Sequence, residues 1–196
     1  MKLHCNSYFE ETDPVRRLVS FIGISLDGYY QGPNGEFDFA NVDQEFYDFS
    51  NRQDAYIDTL MFGRETYELM AAYWPTATED DPEVIEFMNS VQKVAVSTTL
   101  ERADWTNTTL VSDNLAENVK ELKERPGKEI AMFGSVRLTA SLLELGLVDE
   151  LRVMVFPILL GKGASMFSTL NGCVPLELWR TTTFRSGNVL LVYRPA

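Results

Sequence analysis

From Arg17 onward the chain alternates short apolar runs with amphipathic stripes, and this alternation confines it to an α/β architecture. Strand-like runs are read at 17–25, 56–62, 93–97 and 129–133. Helical spacing links Val42, Phe46 and Phe49, then Tyr67, Met70 and Trp74. Further helical stripes are Val84, Phe87, Met88 and Val91; Leu115, Val119 and Leu122; and Val136, Ala140 and Leu143. Asp81 before Pro82 is a cap followed by a first-turn proline, and Gly146 suits a helix C-cap. Pro33-Asn34-Gly35 marks a turn. After Glu150 the helical period disappears: 150–160, 176–184 and 189–194 read as strands, the last two joined at 185–188 as a hairpin. The expected fold is a mixed, mostly parallel sheet flanked by helices, with an antiparallel C-terminal hairpin.

A length of 196 residues with 45% hydrophobic content suits one cored domain, assigned to 16–196, behind an N-terminal extension at 1–15. The net charge of −12 argues against nucleic-acid or anionic-membrane partners, while backbone amides still permit a small anionic ligand. No apolar run reaches the length of a membrane span, and the N-terminus lacks a signal-peptide pattern. Cys5 and Cys173 form no disulfide framework, so a reducing cytoplasm is expected. His4 is the single histidine. A Ser-His-Asp arrangement and a histidine-rich metal site are thereby set aside, and no metal is expected. Proton chemistry falls to carboxylates, tyrosines, lysines or water.

Two strand-to-helix junctions carry phosphate-binding chemistry, because helix N-termini present free amides and partial positive charge. At Phe62-Gly63-Arg64-Glu65-Thr66, Gly63 allows a close turn, Arg64 offers a planar fork and Thr66 a hydroxyl. At Phe133-Gly134-Ser135-Val136-Arg137, a glycine at a strand end lets a ligand meet the backbone. Each is equally readable as an ordinary cap or packing glycine. Ser97 and Thr98 lie where a third strand ends, a common lining of ligand crevices and also ordinary turn composition. No Rossmann or P-loop fingerprint occurs.

Two carboxylates stand out. Glu45 shares the side of the Val42, Phe46 and Phe49 stripe. There it is either buried with an upward-shifted pKa or placed at the rim in water. Asp27, before Gly28, is either a substrate contact or a turn aspartate.

These segments, in this order, resemble the dihydrofolate reductase superfamily over roughly residues 16–194. They look most like the group related to the reductase domain of riboflavin-biosynthesis deaminase-reductases. The resemblance implies NADPH as cofactor, held by Gly63, Arg64, Thr66, Ser97, Thr98, Phe133, Gly134, Ser135, Val136 and Arg137. The Gly-Gly pair of the superfamily is Gly134-Ser135 here, which leaves both peptide isomers open. Val148-Asp149-Glu150-Leu151 and Pro157 to Gly163 resemble the riboflavin-reductase group, although Phe133 replaces the glutamate usual before Gly-Gly. Glu45 falls at the place of the pterin-binding carboxylate, with Phe46 and Phe49 as aromatic substrate neighbours and Asp38-Phe39 in place of Pro-Trp.

The implied activity is hydride transfer from NADPH to a small pteridine- or pyrimidine-like heterocycle, resembling 5-amino-6-(5-phosphoribosylamino)uracil reductase. The catalytic candidates are Glu45 and Asp27. The alternatives are dihydrofolate reductase proper and an inactive nucleotide-binding protein. The apolar strands after Glu150, with the family resemblance, imply a homodimer.

Overall fold

The computed structural model describes residues 15–196; the proposed extension, with His4 and Cys5, lies outside them apart from Val15. In chain order the main elements are β1 (Leu18–Ser25), β2 (Tyr29–Gln31), α1 (Gln44–Asp54), β3 (Ile57–Gly63), α2 (Arg64–Tyr73), α3 (Pro82–Ser90), β4 (Gln92–Val96) and β5 (Thr108–Val111). Then come α4 (Leu115–Glu124), β6 (Glu129–Phe133), α5 (Val136–Glu144), β7 (Glu150–Phe156), β8 (Ala164–Ser165), β9 (Leu176–Thr183) and β10 (Val189–Pro195). A short 3₁₀ turn at Trp74–Thr76 joins α2 to the loop before α3.

The sheet runs β5-β4-β3-β6-β1-β7-β10-β9. The first six of these strands are mutually parallel, and β10 is antiparallel to both β7 and β9. Side-chain alternation sorts the core to the two faces. Met61, Ile130, Met132 and Leu18 meet α4 and α5 through Val119, Leu138 and Leu142. Leu60, Phe62 and Ala131 face α2 and α3 through Tyr67 and Met88. Further along that second face, Phe49 of α1 packs with Met154, Phe156, Phe184 and Leu190. Among the described residues no helix is long and apolar enough to cross a membrane.

The first departures from expectation are short elements. β7 stops at Phe156 rather than continuing to Leu160. From there the chain turns out towards the two-residue β8, which pairs with β2. The edge strand β5 shows no apolar alternation, because only its inner neighbour β4 and partial burial hold it.

A buried charged cluster at the amino ends of β6 and β7 anchors α1. Arg152 Nε donates to Glu150 (2.6 Å), its Nη1 to Gln53 Oε1 (2.7 Å), and it pairs with Glu129 at 3.4 Å. Arg17 also pairs with Glu129. Charges this deep are tolerated because each has a hydrogen-bonded counter-ion. Gln53 thereby fastens the last turn of α1 to the sheet and sets the direction of Asp54 beside it.

Candidate active site

At the carboxyl ends of the parallel strands lie two confluent depressions. The first is a polar groove of about 410 Å³. Arg64, Leu115 and Val136, the first residues of α2, α4 and α5, all border it. None of these three helices has a side-chain cap at its N-terminus. By contrast, α1 and α3, which start away from the groove, are capped by Asp43 and Asp81. Three sets of unclaimed amides and three positive dipole ends therefore converge on one channel.

The β6–α5 junction is shaped for close backbone approach. Gly134 and Ser135 both adopt left-handed conformation, with φ of 68° and 50°. That geometry is free for glycine and costs a non-glycine residue about 1–2 kcal/mol. Ser135 offsets part of that cost, because its Oγ accepts the Gly63 amide proton at 3.1 Å and ties the two junctions together. No peptide among the described residues is cis, so the bond between them is trans.

Gly63, Arg64, Thr66, Ser97, Thr98, Ser135, Val136 and Arg137 all border the groove. Arg64 pairs with Glu68 at 2.9 Å, and Arg137 with Glu65 at 3.3 Å, both on the surface. Such exposed pairs contribute about 0–1 kcal/mol, so either guanidinium exchanges its partner for a phosphate at little cost. Ser97 borders the groove and also shapes the turn after β4. Its Oγ accepts the amides of Thr99 (3.1 Å) and Leu100 (2.9 Å) and lies 3.4 Å from the Thr99 hydroxyl, while Thr98 and Thr99 are exposed at the groove.

The second depression is a cleft of about 470 Å³, continuous with the groove through Tyr30, Gln31, Thr66, Leu69, Ser135 and Val136. Its walls are chiefly apolar: Phe21, Phe46 and Phe156 come from one core cluster, and Met70, Trp74, Phe87 and Phe133 from another. Phe133 and Gly134 line this cleft rather than the groove. Phe46 lines it as expected, but Phe49 does not: it is 3% exposed and packs edge-on to Phe184 at 5.5 Å.

Neither predicted carboxylate enters the cleft. Val42 precedes the Asp43 cap, so the expected helical stripe begins outside the helix. Glu45 stands one turn before Phe49 and so above the same hairpin, where its carboxylate accepts the Arg185 amide at 2.9 Å. It is half-buried at the rim, not on an apolar face. Asp27 is exposed, and its carboxylate accepts the amides of Leu160 (3.1 Å) and Gly161 (2.7 Å). Hydrogen bonding from the Ser25 hydroxyl, then from those amides, holds its carboxyl below the ordinary range. Asp27 is a loop pin that remains ionised.

The carboxyl that does line the cleft is Asp54. Burial pushes its pKa up to about 7. Among the described residues it has no hydrogen-bond or ion-pair partner. Sequence reading missed it, although Phe46, Ser50, Gln53 and Asp54 recur at helical spacing and all four line the cleft.

A mostly parallel sheet with helices on both faces, a carboxyl-edge cleft and an antiparallel final hairpin make up a dihydrofolate reductase-like fold. The chain belongs to the RibD C-terminal domain family, whose model matches residues 16–190. It is 35% identical over 182 residues to the uncharacterized protein YyaP of Bacillus subtilis, covering 91% of this chain and 94% of that one. A riboflavin biosynthesis protein from Shewanella superposes with a TM-score of 0.71 at 23% identity, covering 92% of this chain and 99% of the other. The Thermotoga maritima deaminase/5-amino-6-(5-phosphoribosylamino)uracil reductase gives 0.69 at 15% identity, over 93% of this chain and 57% of its own. Enterococcus faecalis dihydrofolate reductase, solved with NADP(H), gives 0.59 at 13% identity, over 91% and 96%.

Proposed function

We propose that the protein is an NADPH-dependent reductase of a small planar heterocycle. The observation that carries this reading is the convergence of three uncapped helix N-termini on a groove that opens into an aromatic cleft. The left-handed Gly134-Ser135 turn would accept the pyrophosphate against backbone amides. Arg64 with the Thr98 and Thr99 hydroxyls suits a 2′-phosphate. When bound, NADPH supplies the hydride.

The chain's own part is to hold two flat rings face to face between Phe21, Phe46 and Trp74 and to exclude water from between them. Asp54 would deliver the accompanying proton. A pKa of about 7 keeps part of its carboxyl protonated at neutral pH. Glu45 and Asp27 are committed to loop amides, and the geometry favours Asp54 over both.

Calorimetric titration with NADPH and NADH tests the cofactor. NADPH should bind more tightly, and Arg64→Ala should weaken NADPH about tenfold or more while sparing NADH, as expected for a lost charged hydrogen bond. Equal affinities in the unmutated protein would refute the assignment. Loss of nicotinamide absorbance across a panel of pteridines and pyrimidines tests turnover, and Asp54→Asn should slow it by ~10²–10⁴-fold without changing NADPH affinity.

A further inference from the structure

The two confluent depressions differ in charge. The groove carries two guanidinium groups, Arg64 and Arg137, and three helix N-termini. The cleft beyond it has no lysine, arginine or histidine among its described lining residues, and its single ionisable acid is Asp54. Its other polar groups are Tyr30, Gln31, Ser50, Gln53, Thr66, Ser135 and the Trp74 indole. Arg152, a buried guanidinium bonded to Gln53, is already held by Glu150 and Glu129. The net charge of −12 deepens the contrast, since no general positive field compensates the missing cation.

A phosphorylated substrate needs a counter-charge where its phosphate lies, and a desolvated dianion facing an unpaired carboxyl has none. A planar ring with an N–H group meets the opposite situation. The aromatic walls cover its faces, and Asp54 accepts its proton donor.

We propose that this cleft takes a phosphate-free planar nitrogen heterocycle, neutral or cationic, oriented by a ring or exocyclic N–H on the Asp54 carboxyl. The inference rests on reading this cleft as the substrate end of the reductase. It separates the chain from the phosphoribosyl substrate named for the Thermotoga protein. Lys162 is the nearby exception that the test must address. It is exposed on the loop before β8, its neighbour Gly163 abuts the Gln31 backbone, and it does not line the cleft.

Calorimetry on the full chain, with and without saturating NADPH, would use three probes: an aminouracil riboside, its 5′-phosphate and 2,4-diaminopyrimidine. The riboside should bind at least tenfold more tightly than its phosphate. Asp54→Asn should weaken 2,4-diaminopyrimidine about tenfold or more and leave NADPH binding unchanged, whereas Lys162→Ala should alter none of the three affinities. The inference is overturned if the phosphate binds as well as the riboside, if Lys162→Ala selectively weakens the phosphate, if Asp54→Asn binds all three as the parent does, or if none binds below millimolar concentration. Failure of NADPH itself to bind would refute the reductase reading instead, while the titrations of riboside and 2,4-diaminopyrimidine without cofactor, and their loss in Asp54→Asn, still test the cleft, because neither probe carries a phosphate for the open groove.

Discussion

Glu45 and Asp54 stand at opposite ends of α1, and their surroundings send them to different tasks. Glu45 lies above Phe49 and meets the hairpin backbone at Arg185, where a carboxylate finds a donor at the surface. Asp54 follows Gln53, which Arg152 draws onto the sheet at 2.7 Å, and so it is held against apolar walls without a donor. This has a consequence for stability. An unfolded aspartate ionises near 3.8, but folded Asp54 does so near 7. Between those values the folded chain keeps its proton while the unfolded chain loses it, so stability falls as pH rises through this window, and the cost is complete above it. Asp54→Asn should therefore raise the unfolding midpoint at pH 8 by a few degrees, since ~1 kcal/mol moves a domain of this size by roughly 2–4 °C. At pH 3, where the carboxyl is neutral in both states, the gain should vanish. Melting curves at the two pH values check this, and an equal shift at both would contradict the burial account.

At the scale of the element, the β6–α5 junction was largely legible. The strand was read at 129–133 and is found there, and the helix begins at Val136 as its stripe requires. The Asp81 cap with Pro82 likewise marks the start of α3, where Asp81 accepts the Glu83 amide at 2.9 Å. The left-handed pair after β6 yields a prediction. An added Cβ at Gly134 has ordinary room, with Thr66 Cγ2 3.9 Å away, so the obstacle is the φ of +68° rather than a clash. A β-branched side chain at that φ costs on the order of 1–2 kcal/mol or forces the turn to flip. Gly134→Val should therefore fold, with a lowered unfolding midpoint, and lose at least tenfold in NADPH affinity as the α5 amides turn away. Circular dichroism with nucleotide titration reads both effects; unaltered NADPH affinity in the folded variant would move the pyrophosphate elsewhere.

At the scale of the whole molecule, the sheet order places both strand-to-helix junctions side by side, because β6 inserts between β3 and β1. Junctions separated by 72 positions in the chain are thereby linked through Ser135 Oγ and the Gly63 amide. The opposite edge ends in β9, an eight-residue strand with Leu176 37%, Leu178 56% and Trp179 50% exposed. An edge strand that exposes apolar side chains is a pairing surface. We propose that a second copy of this chain covers it. Light scattering should report a dimer, and Trp179→Glu should shift it to monomer with NADPH affinity unchanged. A monomeric parent protein at tens of micromolar would reject this arrangement.

Local patterning alone determined the α/β alternation, the strand-to-helix junctions and the final hairpin, because these depend on period, caps and turns within a few residues. Gly63, Arg64, Thr66 and the 133–137 segment were therefore legible as parts of two strand-to-helix junctions before any fold was known. Which carboxyl enters the cleft was decided by tertiary structure. Helical spacing drew attention to Glu45 and gave no reason to single out Asp54, half a turn away around α1, yet the hairpin at Arg185 takes the first and the second lines the cleft beside the Arg152–Gln53 hydrogen bond. The same holds for Phe46 and Phe49, of which one lines the cleft and the other fills the core. Burial and charge pairing depend on residues distant in sequence, so only the closed sheet could distinguish between them.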